Sequence, residues 1–213
     1  MLSLPFFGNV QKKASRVLSL RPRRLSVESF ILGMCLGIVI TLVLFPATVQ
    51  AAPGPSWPDE KIDVWRGYNR HVFAVDSCVA WVVEPKQAAA GNPWVWCMEF
   101  PDAFTERTGV LQLLQHGLFY VHIEVGNTYG CPAALTHFDA FYRAIEAQGL
   151  AKKGALIGIS RGGLYAFNWA ARNPSNVLCI YGDAPVCDFK SWPGGKGKGT
   201  GSPKDWAALI KDY

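Results

Sequence analysis

Six residues, Gly158-Ile159-Ser160-Arg161-Gly162-Gly163, constrain this chain more than any other stretch. The apolar run Ala155-Leu156-Ile157 leads into them. Residues 164–171 leave with a helical pattern that stops at Asn173-Pro174, where proline cannot continue a helix. A strand that becomes a helix within so few residues has to bend sharply. Glycine on both flanks removes the Cβ atoms that would strike the neighbouring strand or helix. The bend pushes the Ser160 hydroxyl out of the sheet, beside helix N–H groups that have no partner inside the helix. Ser160 is then either the N-cap of an ordinary strand-to-helix turn or a hydroxyl presented next to donors that can hold an oxyanion. Three glycines around one serine favour the second reading.

The rest of the body supplies a sheet for that bend. Residues 71–76 and 78–83 read as two adjacent strands with a tight turn near Asp76-Ser77. Residues 93–98 form a third strand, apolar on both faces, and 118–125 a fourth. Residues 108–116 are a short helix closed by Gly117. Residues 133–148 are the clearest helix, with Phe138, Phe141, Tyr142 and Ile145 on one face. Strands over 155–159 and 177–181 follow, and a helix over 203–213 comes last. This order predicts an α/β fold: a mostly parallel sheet with helices on both faces and two leading antiparallel strands. In such a sheet the site lies at the C-terminal strand ends. Four loops collect there: 99–102, 126–130, the Ser160 bend and 182–185.

The net charge of +5 is misleading. Lys12, Lys13, Arg16, Arg21, Arg23 and Arg24 stand against Glu28 alone, so residues 1–51 carry all of it and the remainder is balanced. That excludes a whole-domain field for nucleic acid. Residues 30–45 hold no charge, and Ala47-Thr48-Val49-Gln50-Ala51-Ala52 has the small residues of a signal-peptidase cut. Residues 1–51 are therefore expected to be a signal peptide or an uncleaved signal-anchor. Either one exports the body to the periplasm or outside the cell, with membrane contact only through this N-terminal segment. Residues 52–58, rich in proline, read as a linker, and 59–213 as one domain. Cys78, Cys97, Cys131, Cys179 and Cys187 lie outside the leader. Cys131 and Cys187, both in loops after strands, are the first pair to test for a disulfide; Cys97 and Cys179 read as buried strand thiols. No Cys-x-x-Cys and no His/Cys cluster points to a metal, and no cofactor is expected.

The leading strands, the strand–helix alternation and Gly158-Ile159-Ser160-Arg161-Gly162 together resemble the α/β-hydrolase superfamily, and within it exported bacterial esterase-like members. The resemblance covers residues 65–188. It implies strand order 1-2-4-3-5-6 and a Ser-His-acid triad. Ser160 would be the nucleophile, the N–H of Arg161 the first oxyanion donor and the N–H of Phe100 the second, since Pro101 has none. The Arg161 side chain either binds an acidic group or sits solvated or salt-bridged. Asp183 stands where some relatives carry the triad acid; otherwise it braces its loop with Asp188. Residues 192–203 take the place of a lid or cap, or form a mobile solvated loop. The implied substrate is a small acyl ester or a sugar ester. Trp94, Trp96, Trp192 and Trp206 offer stacking surfaces, although core packing accounts better for the first two.

The family order places the base after the nucleophile. His71, His116, His122 and His137 all precede Ser160, and His122 reads as structural. The expectation is a C-terminally truncated hydrolase domain without its triad base, impaired as an enzyme. A non-catalytic binding protein and an inactive fragment are the alternatives.

Overall fold

The computed structural model describes residues 54–57 and 61–213. Two tight hairpins open it. β1 (Lys61–Trp65) pairs antiparallel with β2 (Tyr68–Val75), and β2 with β3 (Cys78–Val83). Each turn has two residues at positive φ: Arg66 at 47° and Gly67 at 82°, then Asp76 at 49° and Ser77 at 65°. Two consecutive left-handed residues match the twist of the flanking strands, which is why such short turns can close a hairpin. β1 is the strand that sequence reading does not find. Four of its five residues are not buried, so it carries little apolar pattern.

From there strands and helices alternate: β4 (Trp94–Cys97), α1 (Val110–Gln115), β5 (Phe119–Ile123), α2 (Pro132–Ala147), β6 (Gly154–Ile159), α3 (Gly162–Arg172), β7 (Val177–Asp183) and α4 (Pro203–Asp212). The sheet order is β1-β2-β3-β5-β4-β6-β7, with β5, β4, β6 and β7 parallel. Without β1 this is the expected 1-2-4-3-5-6.

β4 and β5 are buried along their whole lengths, as strands covered on both faces must be. Trp94 and Trp96 point to one face. The Trp96 ring meets Phe138, Phe141 and Trp169 edge-on at centroid distances of 5.2, 5.0 and 5.2 Å. This layer lies under α2, whose Phe138, Phe141, Tyr142 and Ile145 are all buried. Val95 and Cys97 point to the other face, against Val110 and Leu114 of α1. These contacts settle Trp94 and Trp96 as core residues.

Two expectations change, both for cysteines; in the stretch read as a linker, Trp57 is buried and stacks on Phe73 at 5.5 Å. Cys131 and Cys187 are not bridged: the five cysteines among the described residues are free thiols, Cys131 buried at the start of α2 and Cys187 exposed. Cys179 is exposed instead of buried, because among the described strands β7 pairs with β6 alone, at the sheet edge; Leu178 beside it is 69% exposed. The leader, including 30–45, lies outside the described residues. Among those described, no helix is long and apolar enough to cross a membrane.

Candidate active site

The bend between β6 and α3 has the expected form, and its glycines are required by crowding. A Cβ on Gly158 would lie 3.1 Å from the Gly162 carbonyl oxygen. One on Gly163 would lie 2.6 Å from the Val186 oxygen and 2.7 Å from Pro185 Cβ. The left-handed backbone falls on Ser160 itself, at φ 49°. A non-glycine residue there costs on the order of 1–3 kcal/mol and persists only where surroundings over-determine it. Those surroundings are specific. The Ser160 N–H donates to the Asp183 carbonyl at 3.0 Å, and the Ser160 carbonyl accepts from Gly163 at 3.0 Å and Val186 at 2.7 Å. The side chain stays exposed.

No described acceptor takes the N–H of Arg161 or of Phe100. Phe100 also has a left-handed backbone, φ 57°, in the loop that follows β4. That loop is pinned from behind: Trp65 Nε1 donates to Asp102 Oδ1 and the Tyr120 hydroxyl to the Pro101 carbonyl, both at 2.7 Å. Two unclaimed N–H groups thus flank the bend, one on each side of the junction between this loop and α3.

The Arg161 guanidinium is taken. Glu99 Oε1 accepts from its Nε at 3.0 Å and from Nη2 at 2.6 Å; Asn127 Oδ1 also accepts from Nη2, and the Phe100 ring lies 4.9 Å beneath. Burial pushes the Glu99 carboxyl above its ordinary range, and Arg161 pulls it back. Burial likewise opposes the charge on Arg161, but Glu99 outweighs it and holds the guanidinium above its ordinary value. Of the two readings of this side chain, the salt-bridged one holds.

Asp183 ends β7 beside Ser160, and Arg107 reaches its Oδ2 through two nitrogens at 2.7 Å. Its brace is Arg107, not Asp188, whose oxygens accept instead from the turn at Lys190 and Ser191. No histidine meets Ser160. His122 is buried with Nδ1 2.7 Å from the Cys97 carbonyl oxygen; His71 lies 3.2 Å from Glu84, and His137 2.7 Å from Asp76. His116 caps α1 and is exposed. Among the described residues no side chain hydrogen-bonds Ser160 Oγ, and no group of three or more His, Cys, Asp or Glu could hold a metal.

Sequence reading names the loops of Glu99, Asn127 and Tyr129 but not what these residues do, and it passes over Arg107 and Tyr165. The Tyr165 hydroxyl accepts from the N–H groups of Thr128 and Tyr129 at 3.0 and 2.9 Å and donates to the Gly126 carbonyl at 3.0 Å. It therefore fastens the loop after β5 to α3. Residues 192–203 are closed by backbone bonds such as Lys196 to Lys190 and Ser202 to Pro193, both 2.9 Å, which leaves Lys196 and Lys198 exposed. α4 then packs back through Tyr129, whose hydroxyl donates to Asp205 at 2.7 Å. Trp192 and Trp206 are half-buried against Tyr129 and Phe189.

Sheet order, crossovers and the sharp β6–α3 bend are those of the α/β-hydrolase fold. No family model matches the chain, and no curated protein matches it. Solved structures do. A probable hydrolytic enzyme from Pseudomonas aeruginosa is 16% identical over 60% of this chain and 41% of its own, with a TM-score of 0.40. Est1E from Butyrivibrio proteoclasticus is 14% identical over 57% and 48%, at 0.42. A cold-adapted esterase from an Arctic intertidal metagenomic library is 16% identical over 57% and 61%, at 0.45. The chain thus spans about half the length of these structures.

Proposed function

We propose that this chain carries the acyl-transfer centre of a serine hydrolase acting on a small acyl ester or a sugar ester. One observation carries the reading: an exposed, non-glycine residue with a hydroxyl sits at φ 49° on a bend whose neighbours have room only for glycine. In the proposed reaction Ser160 Oγ attacks the ester carbonyl carbon and loses its proton to a base. The carbonyl oxygen becomes an oxyanion facing the N–H groups of Arg161 and Phe100. Collapse breaks the ester C–O bond and releases the alcohol with a proton, and water then hydrolyses the acyl-serine. Asp183 is the candidate acid.

On this reading none of the described histidines serves as the base. Acylation without an added base is then slow, with the rate left to the oxyanion donors and binding, about 10³–10⁴ over water in enzymes stripped of a triad member. A second reading draws on the same fact together with the occupation of Asp183 by Arg107: a non-catalytic protein that holds ligands at the bend. The basic, then apolar, leader supports export of the body, and sequencing the N-terminus of protein recovered outside the cytoplasm tests it.

A fluorophosphonate probe separates the two functional readings. With imidazole supplied as the base, intact-mass and peptide analysis should find one adduct, on Ser160, and none in Ser160→Ala. Above the rate of imidazole alone, which itself cleaves p-nitrophenyl acetate, free imidazole acting as the base should raise cleavage by the wild type but not by Ser160→Ala. A folded wild type that takes no adduct and shows no imidazole response would sink the hydrolase reading. Ligand binding that survives Ser160→Ala would favour the second.

A further inference from the structure

The two N–H groups assigned to the oxyanion belong to different elements, and one side-chain contact ties those elements together. Glu99, immediately before Phe100, is only 7% exposed. Its carboxylate holds the Arg161 side chain through two hydrogen bonds to one oxygen, and the same guanidinium reaches Asn127 and covers the Phe100 ring. The two elements also lie close: a Cβ on Gly162 would sit 3.0 Å from Glu99 Cβ and 3.6 Å from its backbone nitrogen.

We propose that Glu99 is a positioning residue for the oxyanion site: by gripping the Arg161 side chain it sets the separation of the Phe100 and Arg161 N–H groups. This rests on the reading of Ser160 as nucleophile. An oxyanion forms where no ground-state atom sits, so its donors have to be held in place beforehand. Phe100 needs such holding, since its left-handed backbone is not a relaxed one. The grip is firm because pulling the pair apart leaves a buried charge without its counter-charge. Nothing in a strand-to-helix bend itself calls for an arginine side chain that folds back beside the other donor; only the backbone N–H of this residue is used there. Asn127 brings the loop after β5 into the same contact, so three of the four loops at the strand ends share one guanidinium.

Progress curves for fluorophosphonate labelling of the full chain, with imidazole supplied at a fixed concentration as the base, separate probe affinity, KI, from the rate of bond formation, kinact. Glu99→Gln keeps the size of the side chain and removes its charge; Arg161→Lys keeps the charge and removes the planar fork. Both are expected to lower kinact by about 10²-fold with KI changed by less than about twofold, the signature of a displaced group at a reacting centre. Glu99→Asp, which keeps the carboxylate, is expected to recover most of the rate. Circular dichroism melting shows which variants fold. Should the Glu99 and Arg161 variants not fold, Asn127→Ala, which trims the same contact from its exposed side, is expected to lower kinact several-fold. Wild-type kinact in the folded variants overturns the positioning role and leaves Ser160 as nucleophile. A folded wild type that never labels overturns both.

Discussion

The main-chain N–H of Ser160 donates to the carbonyl of Asp183 at 3.0 Å, tying the apex of the bend to the last residue of β7. Val186 returns from the same loop to the Ser160 carbonyl at 2.7 Å. Two bonds from one neighbouring loop thus hold a serine in a backbone conformation that it would not choose. The strain at this residue and the loop that enforces it form one device.

Relieving that strain should stabilise the protein. Ser160→Gly is expected to raise the unfolding free energy by about 1 kcal/mol in a urea titration, since glycine adopts φ 49° without steric cost. Gly163→Ala should do the opposite, by about 1–3 kcal/mol, because its Cβ meets the Val186 oxygen and Pro185. An unchanged midpoint for both would show that the bend is not held as described.

Tyr165→Phe removes one oxygen shared by three backbone groups. The Tyr129 N–H loses its acceptor, whereas the Thr128 N–H and the Gly126 carbonyl keep the bond between them at 2.9 Å. The expected cost is about 1–3 kcal/mol in a denaturant titration. Proteolysis should become faster within residues 126–130, where the loop is no longer fastened to α3.

The docking of α4 should weaken at both ends of the pH scale. Hydrogen bonds from Ser202 and Tyr129 hold Asp205 below its ordinary carboxylate range. A depressed carboxylate stabilises the folded state above its unfolded pKa, and that stability is lost as pH falls through the depressed value. Tyr129 is pushed up to about 12 by burial and by its bond to Asp205. The folded state then binds this proton more tightly than the unfolded chain, so stability falls as pH rises from the ordinary tyrosine value of 10.0 toward 12. Trp206, on α4, reports both transitions by fluorescence, and Asp205→Asn should flatten the acid limb.

Thiol titration with a chromogenic disulfide should distinguish the cysteines by place. Cys179 and Cys187 are exposed and should react promptly, with Cys78 slower. Cys97, whose thiol burial pushes up to about 12, and Cys131 should react only on unfolding. Four or fewer thiols in the unfolded, unreduced full chain, which has six cysteines, would mean that a disulfide forms after all.

Sequence reading went furthest where a local pattern had a single physical meaning. The apolar face of α2 is legible because residues three and four apart on a helix share a side, and Phe138, Phe141, Tyr142 and Ile145 are all buried. The bend at Ser160 is legible because glycine on tight flanks reports crowding. Cys179 escapes sequence reading for the opposite reason: residues 177–181 are as apolar as a central strand, yet among the described strands β7 lies at the sheet edge and is exposed. β1 stayed hidden because a half-exposed edge strand has little pattern to show.

The chain by itself determined the alternation of strands and helices, and hence which loops gather at the strand ends. It also determined the position of the one serine on a glycine-flanked bend. Short-range sterics and periodicity decide these features, and both are written in neighbouring residues. Only the tertiary structure decided that Arg161 is spent on Glu99 and Asn127, that Arg107 holds Asp183, and that Tyr165 fastens the loop after β5. Partners 34 to 76 residues apart leave no local signature, because what pairs them is the packing that brings their loops together.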